Sequence, residues 1–401
     1  MSDRFPGGVI SKTPPTVTPP VAGEGGSASG VWTLEEQLGL QKAGVWPKPP
    51  LPRELYAWGQ NNLGQLGIND VAARSSPVQV GALTDWEDIT ASNGFSLALK
   101  TNGTLWSWGS NGSGNLGDSS TVSKSSPIQV GSLTNWYYIA SGNSHSVSIK
   151  SDGTFWSWGG NGVGELGDGT TVAKSSPIQV GSLTDWDAAS ASQATFAIKT
   201  NGTLWSWGNN SFGQLGHGNQ IYRSSPVQIG ALTTWNKVSA GNLHTLAITS
   251  GGALFSWGQG SFGILGQNNV INRSSPVQVG ALTNWAVVAG GGEHSCAVKS
   301  DGTLWAWGEN SVGQVGDNTT VDKSSPVQVG GLTTWAIVSA GGFHNMAIKN
   351  DGTIWAWGYN GNGRLGDGTS VTKSSPVQIG SLLTWFKVAA GGDQTVAIIK
   401  G

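Results

Sequence analysis

Gly162, Gly164 and Gly167, in the stretch WSWGGNGVGELG, have the G-x-G-x-x-G spacing with which a glycine turn can cradle a dinucleotide's pyrophosphate. That chemistry needs a strand before the glycines, a helix opening after them and an acidic residue about 20 positions further on. The chain continues instead as DGTTVAKSSPIQV. Its Gly, Thr and Ser content ahead of Pro177 predicts a loop, and the alternation Ile178, Gln179, Val180 predicts a new strand. The spacing recurs as GSGNLG at 112–117 and GNGRLG at 361–366, so the glycines are read as parts of a repeat, with no nucleotide cofactor implied.

His145, His244, His294 and His344 share one repeat position, where a ring of imidazoles would suggest a metal. The other copies place Phe95, Ala194 and Gln394 there, and one His per copy lies too far from the next for a shared tetrahedral site. A ring hydrogen-bonded locally at the start of a strand is the expectation. Asp118, Asp168, Asp317 and Asp367 occupy a loop position that Ile68, His217 and Gln267 fill in other copies, replacements that a repeated calcium loop does not survive. Cys296 aligns with Leu97, Val147 and Met346, which predicts a buried thiol and not a nucleophile. No Ser/His/Asp or paired-carboxylate arrangement stands out, so the expectation is no enzyme, no cofactor and no metal. A basic residue precedes every Ser-Ser-Pro triplet: Arg74, Lys124, Lys174, Arg223, Arg273, Lys323 and Lys373. With a formal net charge of −2, local pairing with loop acids and carbonyls is favoured over a ring that attracts an anionic partner.

The elements that must position these residues follow from composition and period. The 401 residues include 63 Gly and 21 Trp but only 11% charged side chains, against about 25% in ordinary domains. There is no Lys/Arg run, which argues against a nucleic-acid or anionic-membrane partner. One cysteine excludes an intramolecular disulfide framework. The first residues lack the apolar core of a secretion signal and no apolar run is long enough to span a membrane, so a soluble chain without an export signal is expected.

Trp-Gly recurs from Trp58 to Trp357 at 50-residue steps with one step of 49, and Ser-Ser-Pro and Leu-Thr-x-Trp keep the same step. Seven units cover 55–401 without insertion, each reading as four short strands. Asn102-Gly103, Asp152-Gly153 and their counterparts predict two-residue type I′ hairpins between the third and fourth strands. The chain enters the repeat on an isolated fourth strand, Leu55, Tyr56, Ala57 and Trp58, and leaves it after three strands from about 375 to 399. Joining the two would close a ring and remove an exposed edge, which predicts an all-β, seven-bladed propeller of four-stranded blades closed by an N-terminal strand. Tryptophan pairs such as Trp106/Trp108 share a sheet face and suit packing between blades; carbohydrate stacking is the functional alternative.

The stretch AGGGEHSCAVKSDGTLWAWGENSVGQVGDN, beginning at Ala289, resembles the repeat of the regulator of chromosome condensation family, and the resemblance extends over 55–401. It implies a seven-bladed propeller that serves as an interaction platform; the founding type is a guanine-nucleotide exchange factor for a small nuclear GTPase and docks on nucleosomes. That type uses a blade insertion and a basic N-terminal tail. Here the unit length stays at 49 or 50, and residues 1–54 carry five basic and five acidic side chains, which speaks against both tasks. Variation between copies concentrates in the loops, where Phe212, Tyr222, Phe262, Tyr359 and Arg364 are the candidate partner contacts.

Residues 1–54 read as an extended, Pro-rich arm. A capping box at Thr33 and Glu36 predicts a short helix near 34–42, and Trp32, Leu34, Leu38 and Trp46 give it an apolar face for assembly. RFPGGVISKTPPTV and SGVWTLEEQLGLQKAGVWP are similar to segments of structural and tail-fibre-like proteins of tailed bacteriophages. The leading expectation is therefore a non-enzymatic virion component. Its arm would bind other virion proteins and its propeller a host surface protein or glycan, without membrane insertion. The alternative is an intracellular interaction scaffold resembling an exchange factor.

Overall fold

A computed structural model describes residues 51–401 and, ahead of them, only two short strands, Val17–Thr18 and Ser27–Ala28, paired antiparallel. The helix expected near 34–42, with Trp32, Leu34, Leu38 and Trp46, lies outside the described residues.

From Arg53 onward the chain forms seven four-stranded antiparallel sheets. Blade 1 runs from Trp86–Ala91 through Phe95–Lys100 and Leu105–Gly109 to Lys124–Gln129, and blades 2 to 6 repeat that order from Trp136, Trp186, Trp235, Trp285 and Trp335. The first strand of each blade faces a central channel and the Ser-Ser-Pro strand is outermost. An outer edge explains how Pro77 and its counterparts sit within strands, since an edge position can spare one ladder donor. The second strand, covered on both sides, is buried at every position in blades 1 to 6.

Closure by the N-terminal strand is present. Arg53–Gly59 pairs in full antiparallel register with Gln394–Lys400, from Arg53↔Lys400 to Gly59↔Gln394. The closing blade is nevertheless two plus two, not one plus three: Trp385–Ala390 and Gln394–Lys400 meet Arg53–Gly59 and Arg74–Gln79. The C-terminal Ser-Ser-Pro strand, Lys373–Gln378, belongs to blade 6, where Trp355 pairs with Gln378. The loop after Trp-Gly folds back into a hairpin, as neighbouring strands tend to do, and the link from Gln378 to Trp385 makes the step between blades.

The tight turns also differ from the two-residue form expected. Gly103 N–H donates to Lys100 O and Lys100 N–H to Thr104 O, and of Asn102-Gly103 only the glycine has positive φ, at 75°. This is the longer hairpin, a turn followed by a left-handed glycine bulge. Asp152 Oδ1 accepts from the backbone and hydroxyl of Thr154, and that hydroxyl accepts Trp156 Nε1–H at 2.9 Å. The sequence Asp-Gly-Thr-x-Trp is thus one hydrogen-bonded unit.

Core clusters bridge neighbouring blades. One joins Phe95, Leu97 and Leu105 of blade 1 to Trp136, Ile139 and Trp158 of blade 2. Every Trp-Gly tryptophan reaches across to a backbone carbonyl of the preceding blade's loop, as Trp158 Nε1 does to Asn115 O at 2.9 Å, and at the seam Trp58 Nε1 to Arg364 O at 3.0 Å.

Candidate functional site

The histidines form a buried chain between blades. His145 Nε2 lies 2.8 Å from Thr195 Oγ1 of the next blade, and His244, His294 and His344 meet Ser295, Asn345 and Thr395 in the same way. Thr195 gives its only hydroxyl proton to Glu165 O, so His145 must donate from Nε2. Burial pulls the imidazole of His145 down to about 4 and those of His244 and His294 to about 3 and about 4, keeping the rings neutral. Gly142, Gly241, Gly291 and Gly341, each three residues earlier, lie so close over the rings that a Cβ there would collide with Nδ1 and Cε1. Neutral, separated rings of this kind build an interface between sheets. Among the described residues no three His, Cys, Asp or Glu side chains gather as a metal set.

The nucleotide-like glycines have found other work. Gly164, at φ 88°, lets the loop approach Ser224 of the next blade, and Gly167, at φ 76°, lies against the Trp207 indole. Gly162 faces open space. The loop between them is organised by a residue that the repeat comparison overlooked. Asn161 Nδ2 donates to Asp168 Oδ1, Thr170 O and Val172 O, while its Oδ1 accepts from Leu166 N–H at 2.9 Å. Asn61, Asn111, Asn210, Asn310 and Asn360 brace their loops through the same backbone positions, all buried, and their recurrence three residues after every tryptophan of Trp-Gly except Trp257, where Gly260 stands, was the available signal.

The loop acids and bases are mutual partners. Lys124, Lys174, Lys323 and Lys373 stand 3.1–3.7 Å from Asp118, Asp168, Asp317 and Asp367. Arg74 pairs with Asp70, and Arg273 Nε donates to Gln267 Oε1. His217, in the aspartate position, bonds to Ser206. Cys296 is fully buried beside Asn345, and burial pushes its thiol well up, away from thiolate chemistry.

Two surfaces remain. The channel mouth encloses a polar cavity of about 300 Å³ among Asn143, Asn242, Glu293, Phe343 and Asp393. Asn242 Oδ1 accepts from both Asn143 and Gln193 on one side. On the other, burial and then the charge of Glu309 raise the Glu293 carboxyl. The second surface is the loop rim. Tyr222, Phe262 and Tyr359 are exposed on it and Phe212 is half-buried, with Phe262 held at φ 57°. Arg364 differs from the expected exposed contact. Its guanidinium is buried, 2.6 Å from Asp393, with Tyr359 stacked over it at 4.6 Å. An unpredicted feature joins the rim: at least one exposed Val or Ile per copy, from Val71 through Val172 and Ile221 to Val371, with both Val270 and Ile271 in the fifth.

With this geometry in hand, the regulator of chromosome condensation (RCC1) repeat signature matches seven consecutive segments, 54–99, 102–149, 152–198, 201–248, 251–298, 301–348 and 351–398. The chain belongs to the RCC1 repeat family. Its fold is shared with Prp20p of Saccharomyces cerevisiae, at 21% identity and a TM-score of 0.78, covering 88% of this chain and 93% of that one. It is shared equally with human WBSCR16, at 19% identity and a TM-score of 0.78, over 87% of this chain and 99% of the other. No curated protein sequence matches the RCC1-repeat chain significantly. The matches to the repeat begin at residue 54, and none of them supports the phage likeness of the segment before it.

Proposed function

We propose that this RCC1-repeat propeller is a non-catalytic protein-interaction scaffold, engaging a folded partner through its loop rim. The observation that carries the reading is a rim bearing at least one exposed Val or Ile per blade together with Tyr222, Phe262 and Tyr359. Meanwhile the repeat histidines and Cys296 are buried in contacts between blades, and most of the loop acids are tied up with neighbouring bases. Exposed apolar side chains on rigidly held loops favour a protein partner. The yeast propeller with the same fold is one that binds Gsp1p and histones, which supports a protein-binding use of the scaffold. The virion reading rests on the leader's likeness alone, and mass spectrometry of purified particles is its test.

The variant carrying Tyr222→Ser, Phe262→Ser and Tyr359→Ser is expected to bind the partner at least about tenfold more weakly, with an unchanged thermal midpoint, since such interface residues dominate affinity. Cross-linking should place the partner on these loops. Undiminished affinity, or cross-links confined to the outer strand edges, would remove the reading.

A further inference from the structure

Five lysines end second strands with their ammonium groups enclosed by tryptophan. Lys349 Nζ lies 4.8 Å from the Trp335 ring centre and 3.6 Å from that of Trp355, and Lys100, Lys150, Lys199 and Lys299 are held alike. Indole faces attract a cation through their quadrupole, most strongly where water is excluded, and all five lysines are buried. The two blades without the lysine are also the two without the second tryptophan: Phe255 accompanies Thr249, and Tyr56 accompanies Ile399. Acids follow the same rule. Lys100 and Lys199 pair with Asp85 and Asp185 at 3.2 Å. Where those aspartates give way to Asn135, Asn284 or Thr334, the acid appears in the turn as Asp152, Asp301 or Asp351.

Two equivalent grooves between blades then differ in one informative way. The groove between blades 4 and 5, about 470 Å³, has walls of Trp285, Trp305, Leu282 and Pro326 and carries two cations, Lys299 and Arg273, beside Gln267. In the groove between blade 6 and the closing blade, about 400 Å³, Trp385, Tyr56, Leu382 and Pro77 take the same places. No Lys or Arg lines it, and Asp367, in the place of Gln267, is paired with Lys373 at 3.6 Å. Ile399, at the lysine position opposite Trp385, brings no charge and is not part of the groove's lining. Tyr56 and Trp385 keep the edge-on arrangement of Trp305 and Trp285, at 5.7 and 6.1 Å, and the Tyr56 hydroxyl donates to Glu54 at 3.0 Å. The groove therefore keeps the aromatic walls of a cage and has lost the cation that fills it in five other blades.

We propose that the groove at the closing blade receives the ammonium of a lysine side chain presented by a partner protein, in the place that the chain's own lysine fills in five other blades. The inference rests on the protein-binding reading and adds to it a specific recognition element in the groove between blades.

The test uses the full chain with Nα-acetyl-lysine methylamide, its ε-trimethylated form and the norleucine analogue, followed through the Trp385 indole N–H signal. Both cationic probes should give a saturable shift and norleucine none. Ile399→Lys should supply the missing ammonium and weaken both probes at least about tenfold while the other indole signals stay in place. Tyr56→Leu should weaken them as well, by removing a face of the cage. The proposal is overturned if norleucine shifts the signal equally, if Ile399→Lys responds like the parent, or if neither cation saturates. A partner held through the loops with equal affinity by the parent and by Ile399→Lys would end this proposal and leave the scaffold reading standing.

Discussion

Four histidines held neutral in the protein interior make stability depend on pH in a direction that can be derived. Burial lowers the folded-state value of His145 to about 4, below the ordinary imidazole value of the unfolded chain, so below that ordinary value the unfolded state binds more protons. The stabilisation is fully present above about pH 6.5 and is lost as the pH falls through the folded value. His145→Gln has a precedent in the same chain, since Gln394 fills the equivalent position and donates to Ser92 O at 2.8 Å. That variant should lose about 2 kcal/mol less than the parent between about pH 7.5 and pH 5, measured by denaturant unfolding at each pH. An identical pH profile would mean that the ring is protonated without cost.

At the scale of the element, the loop after Trp-Gly acts as a clasp on the next blade, and its glycines are not equivalent. A Cβ on Gly167 would lie 2.7 Å from Trp207 Nε1 with the backbone at φ 76°, whereas a Cβ on Gly162 meets nothing within 4 Å. Gly167→Ala should therefore cost about 2–4 kcal/mol from overpacking and left-handed strain together. Gly162→Ala should change stability by less than about 0.5 kcal/mol. Thermal or urea unfolding of the two variants checks this directly. Equal effects would show that the clasp is not tight.

At the scale of the whole molecule, the ring is sealed where Arg53 meets Lys400 and Leu55 meets Ile398. That register matches Leu99↔Leu105 in blade 1, where a short turn joins the two strands covalently. A circular permutant that connects Gly401 to Arg53 through a short Asn-Gly turn, and opens the chain in an exposed loop such as 119–122, should keep the parent's fold and cooperative unfolding. Deleting residues 1–59 should instead leave Gln394–Lys400 as a bare edge and give an aggregating chain, seen by size exclusion. Ion pairs reinforce this seam, with Lys387 reaching Asp88 at 2.7 Å from the closing blade to blade 1.

The sequence by itself determined the number of blades, the antiparallel strands and the closure by Leu55–Trp58, because these follow from a period and from alternation along the chain. It also showed that His145 and its counterparts were separated, since one residue per repeat cannot converge around a closed ring. Only the tertiary structure decided which strands share a blade, because the loop after Trp-Gly is compatible with a hairpin or a crossover until its contacts exist. The burial of Arg364, the clasp of Gly167 on Trp207, and the lysine cages with the one that lacks its lysine also waited on it. These depend on where separate strands and neighbouring blades meet, as when Trp58 bonds Arg364 from 306 residues away, and no local pattern encodes a contact between surfaces that folding alone brings together.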